Sequence, residues 1–191
     1  GISRWNNAPI IFFGQISDKI SAYKTTTAKD CCYWVIIHGN HDSYMKIHKI
    51  QGDISSEVAK SFKDSVAIDT EATGLLIPER DKLSLIQICG SEGGDVYVIQ
   101  PDRNNYKAPN LVSVLENNKI QKIGHFLRFD KGALEYFLKC KIQNIFCTKI
   151  ASKICRTYTD AHGLKNLVQE FCNKNLDKKY GSSDWNKDIN D

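Results

Sequence analysis

Asp69 and Glu71 stand two residues apart where the apolar run Val66-Ala67-Ile68 ends. That run reads as a short buried strand, and residues two apart on a strand project from the same face. Two carboxylates on one face at the end of an apolar strand repel each other and lose hydration. They become tolerable when a cation sits between them. Carboxylate oxygens suit Mg²⁺ or Mn²⁺. An Asp-x-Glu pair is also common as an ordinary solvated feature, so it does not assign a metal site alone. Thr73-Gly74 then turns the chain and leaves Leu75 and Leu76 at the rim.

A third carboxylate follows some way along the chain. Lys119 to His125 reads as a strand that leads into Phe126–Leu138, where Asp130, Leu134, Phe137 and Leu138 fall at i, i+4, i+7 and i+8. That spacing predicts a helix with Asp130 in its first turn, on the apolar face. A carboxylate there can simply favour the positive end of the helix dipole. Pointing inward among Phe and Leu it needs a partner, and a metal shared with Asp69 and Glu71 would supply one.

Asp69-Thr70-Glu71-Ala72-Thr73-Gly74-Leu75 resembles the first exonuclease motif of the DEDD superfamily of 3′–5′ exonucleases, and Gly124-His125-Phe126-Leu127-Arg128-Phe129-Asp130 resembles the second. Three further segments resemble the ribonuclease D-like group, particularly its short bacterial nano-RNase C class: Phe146 to Lys153, Arg156 to Leu167, and Ser182-Ser183-Asp184-Trp185. They stand in the family's order from about Met45 to Trp185. The resemblance implies a ribonuclease H-like α/β fold and hydrolysis of short RNA from its 3′ end to nucleoside 5′-monophosphates. Two Mg²⁺ or Mn²⁺ ions would do this, bridged by Asp69 and completed by Glu71 and Asp130; such a pair orients water and stabilises the leaving oxygen. Backbone around Thr73 and Gly74 would approach the terminal nucleotide, and Leu75 would pack on its base. His125 lies within the second motif and joins the candidate substrate contacts. Arg156, His162 and Lys165 are candidates for phosphate or sugar, although a solvated surface charge or a satisfied polar group is the simpler reading of each.

Both ends depart from the family pattern. The family supplies a fourth carboxylate from a Tyr-x-x-x-Asp helix shortly after the Ser-Asp-Trp segment, and the sequence reaches Asp191 before it. The 45–191 exonuclease domain is therefore expected to be incomplete at its C-terminus, and the chain as given to be weakly active or inactive. Tyr180 to Asp184 has that spacing, but Gly181 and two serines make a poor helix. Residues 1–44 precede the only methionine and carry no family resemblance, so they read as an extension or upstream sequence. Within them Gly39-Asn40-His41-Asp42 resembles a metallophosphoesterase motif whose companion motifs are missing, which leaves a turn as the reading.

Composition bounds the rest. The 191 residues suffice for one core, 41% are hydrophobic, and no run is apolar enough to span a membrane. The net charge of +4 and pI near 8.6 suit a polyanionic partner without identifying one. Seven cysteines form no Cys-x-x-Cys pair, and five lie in apolar contexts; buried free thiols in a reducing cytoplasm are expected. A homo-oligomer is left open.

The elements that must position the carboxylates read as strands at 46–50, 65–71, 83–89, 95–100, 119–125 and near 145–148. Helices are expected at 54–62, 110–117, 127–139, 148–157 and 163–173. Asp53 and Ser55-Ser56 are reasonable caps for the first helix, and Leu164, Leu167, Val168 and Phe171 form a stripe on the last. The order implies a mixed sheet flanked by helices. RNA oligonucleotides are the expected partner, with single-stranded DNA as the alternative of a proofreading-type exonuclease; a non-catalytic nucleic-acid-binding fragment is the third reading.

Overall fold

The structure is a computed structural model that describes residues 46–77, 79–90 and 95–173. The expectations for residues 1–44, including the Gly39–Asp42 turn, and for the Tyr180–Asp184 segment lie outside the described residues.

Among the described residues six strands and five helices follow one another. They are β1 (Ile47–Gln51), α1 (Ser56–Ser61), β2 (Ser65–Ala72), β3 (Leu83–Gly90), β4 (Val96–Gln100), α2 (Pro109–Glu116), β5 (Gln121–Gly124), α3 (Arg128–Leu138), β6 (Ile145–Cys147), α4 (Thr148–Cys155) and α5 (Leu164–Cys172). The strands form one sheet in the order β1-β4-β3-β2-β5-β6. β3 runs antiparallel to both β2 and β4, while β1 pairs parallel with β4 and β5 parallel with β2 and β6. This is the expected α/β mixed sheet flanked by helices. Every strand except β3 therefore ends at the same edge, and α/β sheets place ligands outside such carboxyl ends.

Alternation along β2 sorts its side chains. Val66, Ile68 and Thr70 are buried, and Val66 and Ile68 join Ile86, Ile88 and Ile99 of the sheet in the main core. Leu111, Val114 and Leu115 of α2 and Ala133, Leu134 and Leu138 of α3 complete that cluster. Each Val, Leu or Ile side chain among these contributes about 1.5–3 kcal/mol on burial. Asp69 and Glu71, one step out of phase, are thereby turned to the other face.

Three local expectations change. Ser55 caps α1 by accepting from the Val58 N–H, but Asp53 caps a different helix. Its carboxylate accepts from the N–H groups of Asn110 and Leu111 at 2.8 and 3.0 Å, the exposed first-turn donors of α2, which begins at a proline and has no capping side chain of its own. The stripe on α5 buries Leu164, Leu167 and Val168 but leaves Phe171 exposed. Among the described thiols Cys89 and Cys140 are buried and free as expected, whereas Cys155 is exposed at the end of α4. No helix of the described residues is long and apolar enough to cross a membrane.

Candidate active site

The site lies where β2 and β5 part. Their parallel pairing covers only Ser65–Ala67 against Gln121–Ile123. Beyond it β2 continues through Asp69 to Ala72 while β5 ends at Gly124. Only glycine fits at 124: a Cβ would lie 2.8 Å from the Ile68 carbonyl oxygen and 2.4 Å from Leu127 Cδ2. The first turn of α3 enters the gap. Asp130 Oδ1 accepts from both the backbone N–H of Thr70, at 3.0 Å, and its hydroxyl, at 2.7 Å. Asp130 is buried as the helical spacing requires.

Asp69 and Glu71 share a face of β2, and Asp130 is close enough to act on Asp69 electrostatically. Burial, then Asp130, then Glu71 push the Asp69 carboxyl well above the usual carboxylate range. Burial also raises Asp130, opposed by its Thr70 hydrogen bonds. Opposite Asp69 in the ladder stands Gln87, buried, donating from Nε2 to Asp69 Oδ2 at 3.3 Å while its own Oε1 has no hydrogen-bond partner.

Among the described residues no three His, Cys, Asp or Glu side chains converge as a ready metal cage. Asp130 and Glu71 both act electrostatically on Asp69, which makes Asp69 the carboxylate common to the group. This donor set fits hard divalent cations. All its ligands are carboxylate oxygens, their mutual repulsion is what such cations relieve, and the orphaned Gln87 Oε1 needs a donor that a hydrated ion brings.

The loop after β2 is closed on itself. Thr73 N–H donates to the Lys82 carbonyl and Thr73 Oγ1 accepts from the Lys82 N–H, both at 2.9 Å. Asp81, buried, accepts from the Leu76 N–H and from Arg80, and the Arg80 guanidinium holds its carboxyl below the usual range. A Cβ on Gly74 would meet the Asp81 carboxylate at 2.3 Å. Thr73 and Gly74 thus build the loop, and Leu75 is left at its rim, 83% exposed.

His125 follows β5 directly. Thr148 Oγ1 donates to the Gly124 carbonyl at 3.2 Å, so its single proton is spent and His125 Nδ1–H donates to Thr148 at 3.0 Å. Burial, then nearby Lys149, lower the His125 pKa to about 4, keeping the ring neutral.

The remaining candidates separate. Arg156 is buried and used inside the chain: Nη1 donates to Ser152 Oγ and the Ala161 carbonyl, while Nε and Nη2 engage Glu170. His162, also buried, shares Ser152 Oγ through Nδ1. Together they fasten α4 to α5 and to the turn between them. Lys165 remains exposed in the first turn of α5. Thr70, Gln87 and Asp81 are neighbours of the candidate site that motif reading passed over; Gln87 was visible as a polar residue inside an apolar strand.

A family model described as 3'-5' exonuclease matches residues 48–190. The chain belongs to this 3′–5′ exonuclease family, within the ribonuclease D-like DEDD group. Among solved structures, Brucella melitensis NrnC bound to pGG is 42% identical with a TM-score of 0.69, covering 76% of this chain and 69% of that one. Brucella melitensis NrnC with bound Mg²⁺ is 41% identical with a TM-score of 0.68 over the same shares. Escherichia coli RNase D, at 24% identity and a TM-score of 0.54 over 68% of this chain and 33% of that one, shows the shared fold. No match was found among curated proteins.

Proposed function

We propose that this protein is an exoribonuclease that removes nucleotides from the 3′ end of short RNA as nucleoside 5′-monophosphates, using Mg²⁺ or Mn²⁺. The observation that carries the reading is Asp130, lodged in the gap between β2 and β5 beside Asp69. Membership of the 3′–5′ exonuclease family supports it, as do the 41–42% identical NrnC structures, one holding pGG and one Mg²⁺.

Asp69 and Glu71 would hold one divalent ion and Asp69 and Asp130 a second. Bound there, the ions would polarise the attacking water and stabilise the departing 3′ oxygen. The chain's own residues set the frame. Thr70 fixes the Asp130 carboxylate, Gln87 orients Asp69, and the Gly74–Asp81 packing fixes the loop that presents Leu75 to the terminal base. Neutral His125, with Nδ1 committed to Thr148, leaves Nε2 as an acceptor for a ribose hydroxyl. Exposed Lys165 is a candidate phosphate contact, whereas Arg156 and His162 act by holding the segment in place. A cytoplasmic setting would suit the free thiols of Cys89 and Cys140.

The test is release of mononucleotides from 5′-labelled RNA di- to pentanucleotides with Mn²⁺ and with a chelator. Weak stepwise shortening from the 3′ end, dependent on metal and abolished by Asp69→Ala, is expected. Metal-independent cleavage, or full activity in Asp69→Ala, would sink the proposal. Asp69→Asn should also raise the metal-free thermal midpoint, since it removes the repulsion among the carboxylates.

A further inference from the structure

Phe126 joins β5 to α3 with its backbone in the left-handed region, φ 63°. A bulky side chain is disfavoured there, and glycine or asparagine is the ordinary occupant. The reversal sends Leu127 into the core and leaves Phe126 outside, 53% exposed. A large aromatic held in a strained conformation and pointed at solvent does little for folding. Such outliers gather at functional sites, where surrounding structure sustains them.

Lys149 supplies a second, independent observation. Its ammonium lies 4.0 Å from the Phe126 ring centroid. It is the second residue of α4, where the positive end of the helix dipole disfavours a cation. A lysine there weakens the helix but suits a polyanion. Phe126 also stands four residues ahead of Asp130 and next to His125. An exposed ring and a cation side by side are what single-stranded nucleic acid uses, the ring for a base and the cation for its phosphate.

We propose that Phe126 is a stacking platform for a nucleobase of the RNA substrate, with Lys149 bracing the ring and meeting the adjoining phosphate. This rests on the exoribonuclease reading given above and adds a binding preference to it. Purines offer the larger stacking surface, so a purine at the stacked position is bound more tightly than a pyrimidine.

The experiment uses hydrolysis-resistant RNA trinucleotides carrying 2-aminopurine at each position in turn, titrated with the protein and with Phe126→Gly, Phe126→Trp and Lys149→Gln. Binding is expected to quench one position strongly. Phe126→Gly should remove that quenching, weaken binding about 5- to 100-fold, and raise KM more than it lowers kcat. It should do so with an unchanged or higher thermal midpoint, because glycine relieves the positive φ; a merely structural phenylalanine would lower it. Phe126→Trp should retain quenching, and Lys149→Gln should reduce the salt dependence of binding. Binding by Phe126→Gly within twofold of the parent, with unchanged KM, would overturn the inference and leave the nuclease reading intact. Failure of the parent protein to bind any of the RNA trinucleotides would overturn both.

Discussion

Asp130 takes the backbone N–H of Thr70 on the edge of β2 that β5 leaves uncovered. Pairing of the two strands stops at Ala67 and Ile123, and three residues later a carboxylate replaces the missing ladder partner. The same oxygen also accepts the Thr70 hydroxyl. One side chain thus closes a gap in the sheet and stands beside Asp69, so the sheet edge and the candidate chemistry share one residue.

Thr70→Val tests that contact, because valine keeps the shape and loses the hydroxyl. A hydrogen bond to a buried charged group contributes about 1.5–3 kcal/mol, so chemical denaturation should show a loss in that range. Mn²⁺ affinity should fall as well, since Asp130 is less firmly held. Thr70→Ser should keep most of both. Unchanged affinity in Thr70→Val would mean that Asp130 is positioned by α3 alone.

Two glycines in the same region should respond in opposite ways. Gly124→Ala places a methyl group 2.8 Å from the Ile68 carbonyl oxygen, and backbone there cannot give without prising β5 from β2. A loss of about 1–3 kcal/mol is expected, together with most of the metal-dependent activity. Gly132 lies within α3 and a Cβ there meets nothing within 4 Å. Gly132→Ala should therefore stabilise by about 0.5–1 kcal/mol and leave activity unchanged. Thermal unfolding of both variants, with cleavage assays alongside, decides the matter.

Periodicity made much of the fold legible. The alternation around Val66–Ile68 and the i, i+4, i+7, i+8 pattern from Asp130 both depend on local geometry, and each described element falls within a few residues of its expected place. What escaped was nonlocal. Asp53 looked like a cap for the helix that follows it, yet its carboxylate reaches α2, because the proline start of that helix offers donors without a side chain to meet them. For Arg156 and His162 the sequence left substrate contact and a satisfied polar group both open, because polar residues in a motif do not reveal their partners. Ser152 and Glu170, which engage them, lie four, ten and fourteen positions away in the chain, on two helices whose meeting no local pattern encodes. Gln87 could be picked out as anomalous, but its relation to Asp69 came only with the strand register.

Arg156→Lys separates a clamp from a substrate contact. Lysine retains the charge but cannot reproduce the guanidinium fork that engages Ser152, Ala161 and Glu170 together. Breaking a buried charged network costs about 3–5 kcal/mol when a partner is stranded; with Glu170 partly exposed, the lower end is expected. Denaturation should show that loss, while KM for RNA, measured well below the new midpoint, stays near the parent value. A raised KM with unchanged stability would return Arg156 to the substrate.

Lys122 offers a pH-dependent test remote from the carboxylates. It is fully buried on β5, and its ammonium donates to the carbonyls of Val114, Asn117 and Ile120 at 3.5, 2.7 and 2.6 Å. The first two belong to the end of α2, where carbonyls lack intrahelical donors and the dipole favours a cation. Burial nevertheless pushes the Lys122 pKa down to about 8 from its ordinary 10.5. Between those values the unfolded chain holds a proton that the folded chain has released. Raising the pH through that window therefore favours folding, at most by about 1.4 kcal/mol per pH unit; lowering it toward 8 removes the gain. Lys122→Met strands the carbonyls and should cost about 1–3 kcal/mol at pH 7. It also abolishes the titration, so the wild-type advantage over Lys122→Met should widen from pH 8 to pH 10.5. Parallel stability curves for the two proteins across that window would show that the ammonium stays charged in the folded state, held by its three carbonyls against the effect of burial.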